Sequence, residues 1–289
     1  MSLSDDVRTP EEIRVPVRGG DLAALYWAAD APAAPLVVLV HGLTGNAGVW
    51  GKVAAELAGG CEVVAPDLRG RAGSADLPGP HGLSAHAADV ISLLEHFGAD
   101  SESGADATVL VGHSMGGFVA ALATTDSPDL VHGLVLVDGG LPFAVPPAAD
   151  TDAMLAAFLG PSLDRGSWAE HPAIGPWLAD PAVAAFAARD RGVAPEVVRV
   201  DGADMLRNEA VLEATTDLPV PATLLWATRG MLGEVPGLYD EVRLAGMGLA
   251  DAHVTAHEVP DTDHWSVVWS DAGVQAVAAA VREAAERVR

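Results

Sequence analysis

Cysteine is nearly absent: Cys61 stands alone among 289 residues, so no disulfide can form within the chain. That favours a reducing compartment and excludes a disulfide-stapled scaffold or a Cys-based metal knuckle. Lysine is equally scarce, with Lys52 the only one. Acidic residues outnumber basic ones 40 to 16, for a net charge of −24. A surface so acidic is a poor partner for nucleic acid or anionic lipid, and no nucleic-acid partner is expected. Apolar runs stop well short of the roughly 18–20 residues that a membrane span requires, so no membrane insertion is expected. The opening stretch MSLSDDVRTPEE is acidic and lacks the basic-then-apolar order of a secretory signal. A cytoplasmic protein is the expectation. HExxH, CxxC, a Walker loop and GxGxxG are all missing, so neither a metal nor a bound cofactor is expected. Asp251, His253 and His257 are too scattered along one segment to suggest a metal site.

What the chain has is apolar bulk: half its residues are hydrophobic. Several short runs are rich in β-branched residues and lack period-2 alternation, as strands buried on both faces do. These are PLVVLVHG (35–42), EVVAPD (62–67), TVLVGHS (108–114), GLVLVDGG (133–140) and ATLLWA (222–227). HVTAHEV (253–259) is a weaker candidate. Two further strands, 12–17 and 21–27, flank Gly19-Gly20 and read as a hairpin. Between the runs lie helical patterns. One starts at Ser84, taken as its N-cap, with Val90, Leu93, Leu94 and Phe97 on one face; another repeats at Val274, Val277, Ala278, Val281 and Val288. Strands alternating with helices predict an α/β fold, a mostly parallel sheet of about eight strands covered on both faces. Residues 141–215 break the rhythm. They hold prolines, Phe143, Phe158, Trp168, Trp177 and short helical pieces such as AVAAFAARD and GADMLRNEAVLEA. An inserted helical lid is predicted there, within a core made of residues 1–140 and 216–289. The four aromatics are assigned to a small core of that lid before a pocket lining.

The sharpest motif is VLVGHSMGGFVAAL (109–122), in which Gly112-His113-Ser114-Met115-Gly116 fits G-x-S-x-G between a strand-like and a helix-like run. A serine on so sharp a turn projects its hydroxyl from the sheet, and small residues two places either side prevent a clash. The helix that follows points its positive end at the serine.

With that motif in place, the chain resembles the α/β-hydrolase family, chiefly its serine esterase and lipase members, over most of its length outside the lid. His41-Gly42-Leu43-Thr44-Gly45 resembles the family's oxyanion loop, which implies that the Leu43 and Met115 amides form the oxyanion hole. APDLRGRAGSA (65–75) resembles its D-x-R-G-x-G-x-S loop, with Asp67 and Arg69 bracing neighbouring loops and Gly70 and Gly73 permitting tight turns. His264, in VPDTDHWSVVW, resembles the catalytic histidine, although Asp263 stands where glycine is common; His113 is assigned to packing.

The triad acid is displaced. Family members usually carry it after the seventh strand as G-x-x-D, and here that alignment ends on Gly230. Asp138, at the end of the sixth strand, and Glu234, four residues late, are the candidates; Asp138 is preferred. Asp261, Asp263 or no acid at all remain open. The resemblance implies hydrolysis of a small apolar ester-like substrate through an acyl-enzyme. C–C bond or lactone hydrolysis on the same triad is an alternative, suggested by the His264-Trp265 pair, and a binding protein without turnover is another. Nothing in the sequence points to an oligomeric state.

Overall fold

The computed structural model describes residues 9–98, 107–142, 168–247, 249 and 253–287. Eight strands form one sheet in the order β1-β2-β4-β3-β5-β6-β7-β8. They are β1 Glu11–Val17, β2 Gly20–Trp27, β3 Leu36–Val40, β4 Glu62–Pro66, β5 Thr108–His113, β6 Gly133–Val137, β7 Ala222–Ala227 and β8 Val254–Val259. The β1–β2 and β2–β4 pairs are antiparallel. From β4 to β8 every pairing is parallel.

The continuous apolar runs follow from two-sided burial. In β3, Leu36, Val38 and Val40 face one layer, while Val37 and Leu39 face the other. The first layer holds α2 (Leu83–His96) and α3 (Met115–Asp126); the second holds α1 (Gly51–Leu57) and a C-terminal helix, Asp271–Glu286. β8 gave a weaker signal because it is the edge strand and exposes Thr255, His257 and Glu258.

Between β6 and β7 the described part of the inserted segment carries α4 (Pro181–Arg189), α5 (Pro195–Arg207) and α6 (Glu209–Ala214). GADMLRNEAVLEA is therefore not one helix. It breaks at Asn208, whose side chain accepts from the Ala210 amide and starts α6. Trp168 is buried against Phe186 and Trp265, as a core side chain, and Trp177 lies under the Lys52 ammonium. Phe143, Phe158, Asp251 and Val288 lie outside the described residues, as do residues 143–167 of the inserted segment as a whole. After β7 come α7 (Glu241–Ala245) and, after β8, the C-terminal helix α8. Among the described residues no helix is long and apolar enough to cross a membrane.

One expectation fails locally. Ser84 does not cap α2, which starts at Leu83 with Gly82 as its N-cap. The first amides of α2 are instead met by carboxylates from α5: Gly82 N donates to Asp201 Oδ1 at 2.7 Å and Leu83 N to Asp204 Oδ2 at 3.0 Å. A long-range carboxylate satisfies the same orphan donors that a local serine would.

Candidate active site

The carboxyl ends of parallel strands are where open α/β sheets bind ligands. Here Gly42, Ser114 and Asp138 come just after the ends of β3, β5 and β6, and His264 follows β8. Ser114 sits at φ 55°, ψ −124°, a left-handed conformation that side-chain-bearing residues rarely adopt. The turn is this tight because its neighbours have no side chains. A Cβ on Gly112 would strike the Gly116 carbonyl, and one on Gly116 would strike the Val40 carbonyl. Gly139, from the next strand end, packs directly on the Ser114 backbone.

Two peptide groups beside the serine have their carbonyls tied back. The Gly42 carbonyl accepts from His41 Nδ1 (2.7 Å) and from the Gly45 amide (3.0 Å). A trans peptide holds its N–H antiparallel to its C=O, so the Leu43 amide points the opposite way. The Ser114 carbonyl accepts from Gly117 N at 3.0 Å, which turns the Met115 amide outward from the first turn of α3. Gly42 itself lies close to Ser114; a Cβ there would come within 3.4 Å of Ser114 Oγ.

The His41 tautomer follows from its partners. Nε2 accepts from the Leu68 amide at 3.0 Å, so Nδ1 carries the proton and donates to Gly42. Burial pushes this imidazole down to about 4. Between about pH 6.5 and that value the unfolded chain binds a proton that the folded chain does not. Stability is therefore full above the window and falls as the pH drops through it, by about 3 kcal/mol from His41 alone. Burial lowers His86, His113 and His171 in the same direction. Urea unfolding at about pH 7 and about pH 4.5 should show the loss, and His41→Gln should flatten it.

Asp138 is fully buried and also lies at positive φ, 43°. Its Oδ2 meets His264 Nδ1 at 2.6 Å, and its Oδ1 accepts from the Ala227 amide at 3.0 Å. The register explains the reach. Val137 pairs with Leu225, so Asp138 stands beside the last residues of β7 and spans them toward β8. His113 Nε2 donates to the His264 carbonyl at 2.7 Å, and its ring tilts on that of His264. His113 thus steadies the second histidine. Neither Ser114 Oγ nor His264 Nε2 is engaged by another described group.

Glu234 is placed elsewhere. It is exposed, and its carboxylate folds back to accept from Leu232 N at 2.8 Å, over Gly230. The β7 loop supports the His264 segment through Arg229 N and the Thr228 hydroxyl, which both donate to Thr262 O, and His264 N approaches Gly230 O at 3.5 Å. Asp263 caps its own turn, accepting from the Trp265 and Ser266 amides, and Asp261 occupies a left-handed turn. His253 and His257 are exposed.

The loop after β4 is structural in the sense foreseen. Asp67 accepts from Ala47 N and Gly73 N and pairs with Arg189. Arg69 forms a two-point pair with Asp89 and also donates to the Pro78 and Arg18 carbonyls, which occupies its guanidinium. The second glycine of the D-x-R-G-x-G pattern falls on Ala72, which accepts a positive φ of 37°. Three contributors gave no sequence signal as site residues. Arg71 donates to the Leu43 carbonyl, Asp201 pairs with Arg71, and Tyr239 OH bridges both backbone groups of Leu141 after β6. Only the first lay in a recognisable loop. Burial, then the Asp138 charge, holds the Tyr239 phenol well above its ordinary value, so it stays neutral.

Among the described residues no cluster of three or more His, Cys, Asp or Glu could hold a metal ion.

A family profile described as "Alpha/beta hydrolase family" matches residues 37–280. Lipase LipV of Mycobacterium tuberculosis is 32% identical over 148 residues, 48% of this chain and 54% of that protein. An uncharacterised protein of the same species is 35% identical over 114 residues, 38% of this chain and only 30% of its own length. The chain therefore matches about a third to a half of these relatives. A thermophilic esterase from Thermogutta terrifontis superposes with a TM-score of 0.70 over 96% of this chain and 99% of its own, at 21% identity. That likeness is one of fold.

Proposed function

The chain belongs to the alpha/beta hydrolase family, and from that premise we propose that it is a serine hydrolase of carboxylic esters or related acyl compounds. One observation carries the proposal: Asp138 holds Nδ1 of His264, leaving Nε2 without a partner among the described groups, and His113, the residue before the strained Ser114, donates to the His264 carbonyl. A hydroxyl needs such a base to attack at neutral pH.

In this mechanism Ser114 Oγ attacks the acyl carbonyl while His264 Nε2 takes its proton. Asp138 keeps Nδ1 protonated and stabilises the imidazolium that forms. The Leu43 and Met115 amides donate to the tetrahedral oxyanion. Collapse breaks the bond to the leaving alcohol, which receives the proton from His264. Water, activated by the same histidine, adds to the acyl-serine; the acid departs and Ser114 regains its proton. Trp265 packs beside the imidazole with Trp168 behind it, both as buried core side chains, and the proposed substrate is a small apolar ester-like compound. The segment 141–215 is assigned as the lid, on a core formed by residues 1–140 and 216–289. The similar proteins include a lipase and an esterase, which fits an ester carbonyl. A binder without turnover drew its support from a missing acid, and the 2.6 Å contact of Asp138 with His264 Nδ1 favours the hydrolase over it.

Turnover of short p-nitrophenyl esters by wild type and by Ser114→Ala tests the proposal. Wild type should release p-nitrophenol with a pre-steady-state burst, and Ser114→Ala should not. Equal rates from the two would sink it.

A further inference from the structure

Arg71 is buried, yet its guanidinium is spent on backbone near the reacting centre. Nε and Nη2 both donate to the Leu43 carbonyl, at 3.2 and 3.0 Å, and Nη1 donates to the Arg69 carbonyl at 2.9 Å. Nη2 also pairs with Asp201 Oδ2 at 2.6 Å. Asp201 has no exposed surface and comes from α5, in the segment between β6 and β7. Its Oδ2 also meets His86 Nε2 at 2.9 Å, and its Oδ1 accepts from the Gly82 amide. Burial pushes the Asp201 carboxyl up, but His86 and Arg71 outweigh this and hold it below the usual carboxylate range. The carboxylate therefore stays charged against Arg71.

The Leu43 residue is thus gripped from both sides. The carbonyl before it is held by His41 and Gly45, and its own carbonyl is held by Arg71. The Leu43 amide lies in the first of these two peptide planes, and Arg71, by fixing the second, limits how far the first can turn about Leu43. We propose that Arg71 is a positioning residue for the oxyanion loop, and that Asp201 couples it to the inserted segment. Seating of α5 and readiness of the Leu43 amide are then one event. This rests on the serine-hydrolase proposal and goes beyond it. A lysine could not replace the arginine, because only the planar fork reaches Leu43 with two donors while keeping a third for Asp201.

The inserted segment is clamped to the loops around the site at further points, which fits the coupling. Arg189 of α4 pairs with Asp67, and Asp180, its N-cap, pairs with Lys52. Asn46, next to the oxyanion loop, donates to the Phe186 carbonyl of α4 at 3.2 Å, and the Asp201 clamp reaches Leu43 itself through Arg71.

The test uses the full chain and a p-nitrophenyl ester. Fluorophosphonate labelling of wild-type Ser114 comes first; without labelling or turnover the serine-hydrolase proposal fails, and this inference with it. With an active wild type, Arg71→Ala should lose about 10²-fold in kcat with KM changed less than about threefold, the mark of an interaction made in the transition state. A boronic-acid inhibitor should weaken by a similar factor. Added guanidinium ion should restore part of the Arg71→Ala rate but not that of Ser114→Ala. Asp201→Asn should lower kcat in the same manner and add little in the Arg71→Ala background. If Arg71→Ala does not fold, Arg71→Lys carries the test, with an expected kcat loss of about tenfold at constant KM. Wild-type kcat in a folded Arg71 variant would overturn the inference alone. So would a loss that lies in KM, or one that guanidinium and the boronic acid do not register.

Discussion

Asp138→Asn should lower kcat by about 10⁴ on an ester that wild type hydrolyses, with the fold intact. The size of the loss follows from which atoms must face which. Ala227 N–H donates to one oxygen of Asp138, and His264 Nδ1 meets the other. In asparagine the remaining oxygen must stay on Ala227, because a donor there would oppose the amide proton. The NH₂ group is thereby turned toward His264. It can only donate, so Nδ1 must give up its proton and Nε2 must carry one. An Nε2–H cannot accept the Ser114 proton. The rest of the site is left as it was, so substrate binding should change little and the loss should lie in kcat. Glu234→Gln is the paired control. Its carboxylate is exposed and bonded within its own loop, so its rate should stay within about twofold. Steady-state kinetics of the two variants, with circular dichroism to verify folding, checks both statements. Collapse of the Glu234 variant with survival of the Asp138 variant would reverse the assignment.

Ser114→Gly should abolish turnover and raise thermal stability together. Loss of the nucleophile costs about 10⁶ in kcat in a serine hydrolase, whichever residue replaces it. Stability is the discriminating part. A non-glycine residue held at a rarely populated φ, ψ costs about 1–3 kcal/mol, and glycine relieves that strain. Glycine also loses about 0.5–1 kcal/mol through the greater freedom of the unfolded chain. The Ser114 hydroxyl has no hydrogen bond to lose within the described residues. The balance is a gain of about 1 kcal/mol, or about 2 °C in Tm for a chain of this size. Ser114→Ala keeps the strain and should melt near wild type. Thermal unfolding of the three proteins checks this. A Ser114→Gly protein that melts below Ser114→Ala would show that the turn stores no strain.

Much of the fold was visible in the chain, because strands buried on both faces write themselves as unbroken apolar runs. Val37 and Leu39 look one way and Val38 and Val40 the other, so no position could be polar. The edge strand β8 needed no such purity and was correspondingly faint. What sequence could not show was long-range polar pairing. Ser84 looked like a cap because it stood next to a helical pattern; the carboxylates that meet those amides lie more than 100 residues away, on α5. Asn208 did carry a local signal, a cap residue inside an apparent helix, and it was passed over.

The site was legible to the same degree and for the same reason. The turn around Ser114 is local, so its glycines announced it. Strand register, which places Val137 opposite Leu225, brings Asp138 to His264, and that contact is what the proposed role of Asp138 over Glu234 rests on. Spacing alone could rank those two but not seat them. Arg71 sat in a loop read as structural, and its contact with Leu43 depends on how β3 and β4 lie side by side.

The central claim is that Ser114 is a nucleophile activated by His264 and Asp138. The most direct measurement is the mass of the intact protein after incubation with a fluorophosphonate, followed by mapping of the modified peptide. A single adduct is expected, on Ser114, absent from Ser114→Ala and formed far more slowly in Asp138→Asn. An unmodified wild type, or an adduct on any other residue, would contradict it.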